Sequence, residues 1–255
     1  MIITGGSRGI GAAVARRAAG AGYAVAVNYT AHGAAAERLV GEIEGAGGRA
    51  VALQADVAVE ADVVRLYDEA TAALGAPTAV VNNAGITAGN MPVAEFDADN
   101  LARLFAINVL GVMISCREAV RRMSTKRGGS GGAIVNVSSL AAATGGHAHA
   151  SHYASSKAAV DVFTVGMAKE VAGEGIRVNV LRPGMTHTDM TARHTEDPAD
   201  ERAIAGTIAM NRLAEADEIA APILWLLSDE ASYVTGSCYE ATGGGMVVGL
   251  RPGNS

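Results

Sequence analysis

The sequence contains little cysteine, since Cys116 and Cys238 are the only two in 255 residues. Two cysteines are too few for a disulfide framework or a cysteine metal site, so we expect both thiols to be reduced. The sequence also lacks a run of about 18 apolar residues, which predicts no membrane-spanning segment. No basic segment followed by an apolar stretch opens the chain, and we therefore expect a cytoplasmic protein.

Positive charge and aromatic side chains are scarce as well. The formal net charge is −6, which argues against a nucleic acid or an anionic membrane as the main partner. Aromatic residues make up 4% of the chain, whereas hydrophobic residues make up 49% and charged residues 18%. Such a composition is typical of a well-filled core in which helices rich in Ala and Gly pack closely on a sheet.

Short apolar runs alternate with helical patterns along the whole chain. The runs predict strands at Met1–Thr4, Ala24–Asn28, Ala50–Gln54, Ala79–Asn82, Ala133–Val137, Arg177–Leu181 and Tyr239–Ala241. The periodic segments predict helices near Ile10–Ala21, Ala34–Glu44, Glu60–Leu74, Asp97–Met123, His152–Val171 and Glu215–Leu227. This alternation indicates an α/β fold in which one parallel sheet is covered by helices on both faces. We expect a single domain over 1–255, with the polar, aperiodic segment 185–212 as a substrate lid.

The clearest chemical signal lies between residues 133 and 161. Tyr153 and Lys157 are four residues apart, so on a helix they face the same side, and Ser139 at the end of the preceding strand can meet them in space. One ammonium about 4 Å from a phenol supplies roughly the 4 kcal/mol needed to lower its pKa by about 3 units. The three groups predict a general acid/base, with Ser139 holding the substrate oxygen. A Tyr and a Lys at this spacing also occur on ordinary helix surfaces.

A glycine-rich turn, TGGSRGIG at residues 4–11, joins the first strand to the first helix. Glycines let the backbone approach a pyrophosphate, and the helix N-terminus offers free N–H groups and a favourable dipole. The turn departs from the G-x-G-x-x-G pattern, because Val14 stands in the place of the third glycine. Its position still predicts a dinucleotide site formed by Gly5, Ser7, Arg8, Gly9, Ile10 and Gly11.

We expect the residues at the end of the second strand to determine whether NAD(H) or NADP(H) binds. This end reads Asn28-Tyr29-Thr30, without the carboxylate that would bind the ribose hydroxyls of NAD. Arg8 in the glycine turn suits a 2′-phosphate, unless it is merely an exposed loop residue. We therefore predict that NADP(H) is preferred and that NAD(H) is possible.

Polar residues after the third and fourth strands extend the predicted nucleotide site. Asp56, followed by Val57, is placed either to accept a hydrogen bond from an adenine amino group or to cap the next helix. The fourth strand ends in Asn82, Asn83, Ala84 and Gly85, where side-chain amides and a Gly turn can line the cleft. Asn108 lies within a predicted helix, where Asn has a low propensity. Asn108 either has a local polar role, such as holding a water behind Lys157, or is simply tolerated in the helix.

Taken in order, these motifs resemble the short-chain dehydrogenase/reductase family. The resemblance is carried by TGGSRGIG, the NNAG of 82–85, Asn108, the NVSS that ends at Ser139, Tyr153-x-x-x-Lys157 and the RPG of 182–184, and it covers nearly the whole chain. It implies a Rossmann-type doubly wound sheet of about seven parallel strands, and hydride transfer between a nicotinamide and an alcohol/ketone pair.

The resemblance also assigns roles to individual residues. It implies a catalytic tetrad in which Tyr153 exchanges the proton, Lys157 also holds the nicotinamide ribose, Ser139 fixes the substrate oxygen and Asn108 supports a relay water. By the same resemblance, the nicotinamide ring is bracketed by residues that follow the sixth strand, namely Pro183, Gly184, Thr186 and Thr188.

The substrate stays open at this point. The chain is most similar to sugar-dehydrogenase-like members and to 3-oxoacyl-[acyl-carrier-protein] reductases, so we expect a small carbonyl or alcohol such as a sugar or polyol, with a carrier-bound 3-oxoacyl thioester as the alternative. A catalytically silent dinucleotide-binding regulator is the non-enzyme alternative. The resemblance further implies a homotetramer that packs helices 97–123 and 152–171 across subunits.

Three local features have more than one interpretation. His147, His149 and His152 lie close in sequence, but no Cys or clear carboxylate accompanies them, so we predict no metal site. His147 and His149 either line the substrate loop or are simply exposed. A basic cluster is either a docking patch for an acidic carrier protein or a solvated helix end; it consists of Arg121, Arg122, Lys126 and Arg127. The tail at 246–255 has no readable role.

Overall fold

A computed structural model of the protein describes residues 1–192 and 195–245. The tail at 246–255 and two positions of the predicted lid lie outside these residues. All strands run parallel in one sheet of order β3-β2-β1-β4-β5-β6-β7. The strands are β1 (Ile2–Thr4), β2 (Ala24–Tyr29), β3 (Arg49–Gln54), β4 (Ala79–Asn82), β5 (Gly132–Val137), β6 (Ile176–Pro183) and β7 (Cys238–Ala241).

Helices cover both faces of the sheet. They are α1 (Gly9–Gly20), α2 (Gly33–Gly45), α3 (Glu60–Leu74), α4 (Ala98–Phe105), α5 (Gly111–Met123), α6 (Ala141–Thr144), α7 (Ser151–Val171), α8 (Pro198–Ala205) and α9 (Ala216–Leu227). The apolar sides of α1, α2 and α9 form a core on one face. Those of α3, α5 and α7 form a second core on the other face. The predicted doubly wound α/β sheet with seven strands is therefore confirmed.

The strand order places the site. From β1 the chain winds outward to β2 and β3 in one direction, then returns to β4 and continues to β7 in the other. In open parallel sheets, ligands bind outside the carboxyl ends of the strands, where the winding direction changes. Here that point lies between the ends of β1 and β4, so the glycine turn after β1 and the loop after β4 face one crevice.

The predicted helix Asp97–Met123 is interrupted. Between α4 and α5 the helix widens into one π-helical turn, Ala106–Leu110, which contains Asn108. A π turn leaves one residue outside the regular hydrogen-bond ladder, and such turns are frequent at functional sites. Apolar spacing alone does not reveal this turn, because both halves keep a buried apolar stripe.

The rod formed by α4, the π turn and α5 is, by length and composition, long and apolar enough to cross a membrane. Core helices pass the same test. This rod packs Ile107, Val112 and Met123 into the second core, against α3 and the sheet. Its opposite side leaves Phe105 and Leu110 exposed. We therefore read it as a core helix with an apolar outer edge.

Candidate active site

The end of β5 and the start of α7 bring three predicted catalytic residues together. Ser138 and Ser139 follow Val137, the last residue of β5, and α7 packs across β6 and β5 so that its first turns lie beside them. Ser138 is buried and donates its hydroxyl to the Lys157 carbonyl at 3.1 Å. Ser139 is less buried and hydrogen-bonds the Tyr153 phenol. The two adjacent serines thus have different tasks, and Ser139 is the one that faces the phenol.

Lys157 is buried and Tyr153 is partly buried, and the loss of solvent around each group shifts its pKa. Burial raises the pKa of Tyr153 above its ordinary value, and the hydrogen bond from Ser139 offsets only part of this rise. Burial lowers the pKa of Lys157 to about 8, against a smaller opposing effect of the Asp161 carboxylate. Lys157 Nζ donates to the Val137 carbonyl at 2.9 Å and lies 5.9 Å from the centre of the Tyr153 ring.

The net pKa of Tyr153 is raised and not lowered, so the prediction that Lys157 brings it toward neutrality is wrong for this arrangement. The ammonium faces a carbonyl oxygen and not the phenol, so its attraction is smaller than the desolvation of the partly buried phenolate. At neutral pH the Tyr153 phenol is therefore protonated and able to donate a proton, while Lys157 is mostly charged.

Asn108 ties α7 to the loop after β4 from within the π turn. Its Oδ1 accepts from the backbone N–H of Ile86 and its Nδ2 donates to the Ile86 carbonyl, both at 2.9 Å. The same Nδ2 donates to Ser156 Oγ at 3.0 Å, and that hydroxyl donates to the Tyr153 carbonyl at 2.7 Å. The amide therefore has a local polar role, and simple tolerance is the wrong alternative.

Gly85 leaves room where the two polar side chains converge. A Cβ at this position would lie 3.3 Å from both Asn108 Oδ1 and Lys157 Nζ. The missing side chain keeps the space beside the ammonium open, as a ligand that approaches Lys157 requires.

The glycine turn after β1 is built around Asn83 and Thr4. Asn83 Nδ2 donates to the carbonyls of Thr4 and Gly5 at 3.1 and 2.9 Å. Thr4 Oγ1 accepts from the backbone N–H groups of Asn83 and Ala84 at 3.0 and 3.1 Å. Gly5 has a φ of +60°, and a Cβ on Gly11 would collide with the Gly5 carbonyl and lie 2.7 Å from Asn83 Nδ2. Only glycine fits at both positions.

This turn fits a pyrophosphate. α1 begins at Gly9, so its first N–H groups open into the crevice, and no acidic residue stands in its first turn. Ser7, Arg8 and Ile10 keep accessible surface around it. Free N–H groups and a helix dipole together favour a bound anion at this place.

The segment after β6 forms the opposite wall of the crevice. Thr186 Oγ1 donates to the Gly184 carbonyl at 3.0 Å, and Pro183 accepts from the backbone N–H of Leu140 at 2.9 Å. A Cβ at Gly9 would lie 3.2 Å from the methyl group of Thr188. The predicted nicotinamide wall therefore lies directly across from the glycine turn.

Arg8 and Asp189 bridge these two walls. Arg8 Nη1 lies 3.0 Å from Asp189 Oδ2, and both side chains are more than half exposed. Arg8 is therefore not a free loop residue. A ligand phosphate that binds Arg8 has to replace this carboxylate.

Asn28 does not face the crevice, contrary to its predicted contact with the cofactor. Its side chain is buried, accepts from the Gly5 N–H at 3.2 Å and donates to the Ala55 carbonyl at 3.0 Å. It therefore positions the glycine turn from behind. Tyr29 and Thr30, the next two residues, are partly buried and exposed, respectively, and remain candidates for a ribose contact.

Asp56 has partners that neither of its two predicted roles included. Its Oδ1 accepts from the Ala58 N–H at 3.0 Å, and its Oδ2 pairs with Arg103 at 2.7 Å. The residue that precedes α3 is Val59, so the prediction that Asp56 caps this helix is wrong. Val57 is buried against the start of α5, which places its side chain in the core and not in the crevice.

A buried polar network behind the site was missed at the sequence level. Asn82 Nδ2 donates to Asn136 Oδ1 at 2.8 Å, and Asn136 Nδ2 donates to Thr164 Oγ1 at 2.8 Å. Ser115 Oγ donates to Asn82 Oδ1 at 2.6 Å. These bonds join β4, β5, α5 and α7. The prediction that the Asn82 amide lines the cleft is therefore wrong, because this buried network holds it.

Comparison with known proteins agrees with this geometry. A protein-family model described as enoyl-(acyl carrier protein) reductase matches residues 5–245. The chain is 47% identical over 249 residues to the uncharacterized oxidoreductase YgfF of Escherichia coli K12, covering 95% of this chain and 98% of the relative. It is 37% identical to 3beta-hydroxysteroid dehydrogenase 1 of Eggerthella lenta, covering 96% of this chain and 92% of that protein. A short chain dehydrogenase of Burkholderia cenocepacia J2315, solved in complex with NADP, superposes with a TM-score of 0.87 at 34% identity, covering 96% of each chain.

Proposed function

The chain belongs to the short-chain dehydrogenase/reductase family, and we propose that it transfers hydride between NADP(H) and a small polar alcohol/ketone pair. Members of this family oxidise CH–OH groups or reduce the matching carbonyls. One observation carries this proposal. A partly buried, protonated Tyr153 phenol hydrogen-bonds Ser139 at the carboxyl end of β5, in a crevice that also contains the glycine turn.

The chain's own residues divide the work of a carbonyl reduction. The glycine turn and the α1 N-terminus hold the pyrophosphate, and Thr186 and Thr188 border the nicotinamide. When bound, the cofactor supplies or accepts the hydride. Ser139 donates a hydrogen bond to the substrate oxygen while Tyr153 gives that oxygen its proton. The charged Lys157 stabilises the phenolate that remains, and Asn108 keeps the helix of both residues in place.

A preference for NADP(H) over NAD(H) is supported by the residues at the adenosine end. No carboxylate ends β2, and Arg8 stands at the rim of the crevice. The similar Burkholderia enzyme was solved with NADP. An arginine can bind a 2′-phosphate through charge-assisted hydrogen bonds, which NADH does not offer.

Replacing Arg8 with alanine is expected to weaken NADPH affinity about tenfold and to leave NADH affinity nearly unchanged. Fluorescence titration with both cofactors measures this difference. The matched control is Arg16→Ala, which also removes a half-exposed arginine of the same region that pairs with a carboxylate, Glu42. An equal loss for both cofactors would show that Arg8 does not contact the 2′-phosphate.

Reduction of a carrier-bound 3-oxoacyl thioester is the second candidate, because the matching family model is described by an acyl carrier protein substrate. The predicted docking patch does not support it. Arg121 and Arg122 both pair with the buried carboxylate of Glu118, and Lys126 lies 3.5 Å from Glu174. Arg121 and Arg122 lie in the last turn of α5 and Lys126 follows it just before β5 begins, so the patch lies at the amino end of β5, opposite to the site. We therefore prefer a small, free carbonyl substrate.

The loops that flank the phenol support a polar substrate. The segment between Ser139 and Tyr153 contains Thr144, His147 and His149. The loop after β4 is joined to this segment by a hydrogen bond of 2.8 Å from the Met91 N–H to the His149 carbonyl. His152 is buried, and its Nε2 lies 3.0 Å from the Gly89 carbonyl of the same loop. These contacts hold the two loops together, and we take the loops as the substrate side of the crevice.

We propose that the segment 185–212 is the substrate lid of a single domain. It carries the short helix α8, and it is held at its base by backbone hydrogen bonds between Met185, His187 and Ala214. An open pocket of about 230 Å³ is lined by Met185, Met210 and Ile219. Neither Ser139 nor Tyr153 lines this pocket, so it is not the reaction site.

A homotetramer is supported by apolar side chains that the described residues leave uncovered on the rod and on α7. Leu110 is 56% exposed and Val162 is 75% exposed. Such side chains in adjacent helices favour a contact with another copy of the chain. Val162→Lys is expected to shift the protein to smaller species in sedimentation velocity. The matched control is Val59→Lys, at an exposed valine before α3. A monomeric wild type would contradict this assembly.

A substrate panel tests the function itself. NADPH oxidation is followed with sugars, simple and cyclic ketones, diones and 3-oxoacyl thioesters. We expect turnover of at least one small polar carbonyl. Faster turnover of a carrier-bound thioester would favour the second candidate. Binding of NADPH without turnover of any panel member would favour the catalytically silent regulator.

A further inference from the structure

A buried carboxylate lies one helical turn beyond Lys157. Asp161 follows Lys157 by four residues on α7, so the two side chains share a face of the helix. The Asp161 side chain is 8% exposed, and its Oδ2 accepts from Arg182 Nε at 2.9 Å and lies 2.8 Å from Arg182 Nη2. Its Oδ1 is buried and has no hydrogen-bond partner among the described residues. The second oxygen is thus not used by the ion pair.

The partner Arg182 does not fully neutralise this carboxylate. Arg182 lies in β6, and its guanidinium also pairs with Glu240 of β7. The distance from Arg182 Nη1 to Glu240 Oε1 is 3.0 Å. The three groups form a row of two negative charges and one positive charge. Glu240 is exposed, whereas the Asp161 carboxylate is buried on the face of α7 that also carries Lys157. A buried carboxylate that shares its arginine with a second acid is stabilised by a further positive group on the same face.

We propose that Asp161, clamped by Arg182, is a positioning residue that keeps the buried Lys157 ammonium charged. The proposal rests on the function proposed above, in which Lys157 stabilises the phenolate after proton transfer. Asp161 touches neither the substrate nor the reacting atoms. It acts through Lys157, since its charge opposes the desolvation that lowers the pKa of this lysine.

The charged and titratable groups around this pair are few. Tyr153 lies on α7 itself, and its phenol is neutral because burial raises its pKa. Arg182 faces the pair from β6, and Glu240 and Cys238 face it from β7. The Cys238 thiol is neutral as well, because burial and then Asp161 raise its pKa. From the π turn only the neutral amide of Asn108 approaches Lys157. Asp161 is thus the anion that acts on the ammonium most directly.

The small number of lysines allows a direct test that needs no substrate. The chain contains Lys126, Lys157 and Lys169, and all except Lys157 are exposed. In protein labelled with ¹³C-lysine, the Lys157 side-chain carbon signal is assigned with Lys157→Arg and titrated by NMR. We expect a midpoint near pH 8 in the wild type. In Asp161→Asn we expect the midpoint to fall by about one pH unit, because removing a nearby negative charge disfavours the ammonium.

Two variants separate charge from shape. Asp161→Glu keeps the charge and is expected to titrate near the wild-type midpoint. Glu240→Gln removes a carboxylate from Arg182 without changing the Asp161 charge, and it is expected to leave the midpoint in place. Thermal unfolding shows whether each variant is folded. A folded Asp161→Asn whose Lys157 titrates as in the wild type would overturn the proposal.

The same shift should appear in the pH profile of carbonyl reduction. The ammonium is present below its pKa and is lost as pH rises through it, so a lower pKa moves the alkaline limb to lower pH. Asp161→Asn should then match the wild type near pH 6 and fall about tenfold below it near pH 8.5. A uniform loss at every pH would indicate a structural role only and overturn the proposal. If the wild type reduces no carbonyl, the function has failed, while the NMR titration still decides the role of Asp161.

Discussion

Replacing Tyr153 with phenylalanine is expected to lower the turnover of any carbonyl substrate by about 10²–10⁴-fold, the usual contribution of a general acid or base. The ring stays, so packing at the start of α7 is preserved. Only the proton donor to the substrate oxygen is lost, together with the hydrogen bond to Ser139. NADPH affinity should change by less than about twofold, because the glycine turn is untouched. Steady-state kinetics and a cofactor titration measure the two quantities.

The control for this prediction is Tyr233→Phe, which removes the same hydroxyl from a fully exposed ring outside the crevice. It should retain the activity of the wild type. Turnover of Tyr153→Phe within a few-fold of the wild type would mean that another group donates the proton, and the role given to the Tyr153 phenol would be lost.

Replacing Gly11 with alanine should abolish useful cofactor binding while much of the fold remains. The new methyl group would overlap the Gly5 carbonyl and the Asn83 amide, both of which shape the turn. Overpacking of this kind typically costs 1–3 kcal/mol, and we expect the turn to open and NADPH affinity to fall by about 100-fold. Isothermal calorimetry with NADPH measures the loss.

The matched control is Gly20→Ala at the other end of the same helix, where an added Cβ would meet nothing. This variant should bind NADPH normally and melt at the same or a slightly higher temperature, because Ala is the better helix former. Normal NADPH affinity in Gly11→Ala would show that the turn tolerates the methyl group and does not carry the phosphate site.

The sequence was informative about the sheet because its strands are buried on both faces. Runs such as Ala24–Asn28 and Ala133–Val137 have no polar alternation, and each is separated from the next by a helical period, so the parallel architecture follows from pattern alone. The spacing of Tyr153 and Lys157 likewise placed both on one side of α7. These features depend on residues close together in the chain.

Features that depend on residues far apart could not be read in this way. Asn28 looked like a crevice residue because it ends the predicted second strand, but its amide points inward and donates to the Ala55 carbonyl. The direction of the Tyr153 pKa followed from burial by the surrounding elements, which no local spacing reports. The clamp between Asp161 and Arg182 joins residues 21 positions apart. In each case the partner is fixed by packing of the sheet and not by the neighbouring sequence.

The π turn between α4 and α5 fixes the number of residues that the rod needs in this stretch. Successive helical residues are rotated by about 100°, so the one surplus residue turns the Asn108 amide toward Ile86 and Ser156. Losing one residue from 106–110 would restore a regular helix and aim this amide elsewhere, although no reacting group would be altered. The rod should therefore accept changes of side chain in this stretch more readily than a change in its number of residues.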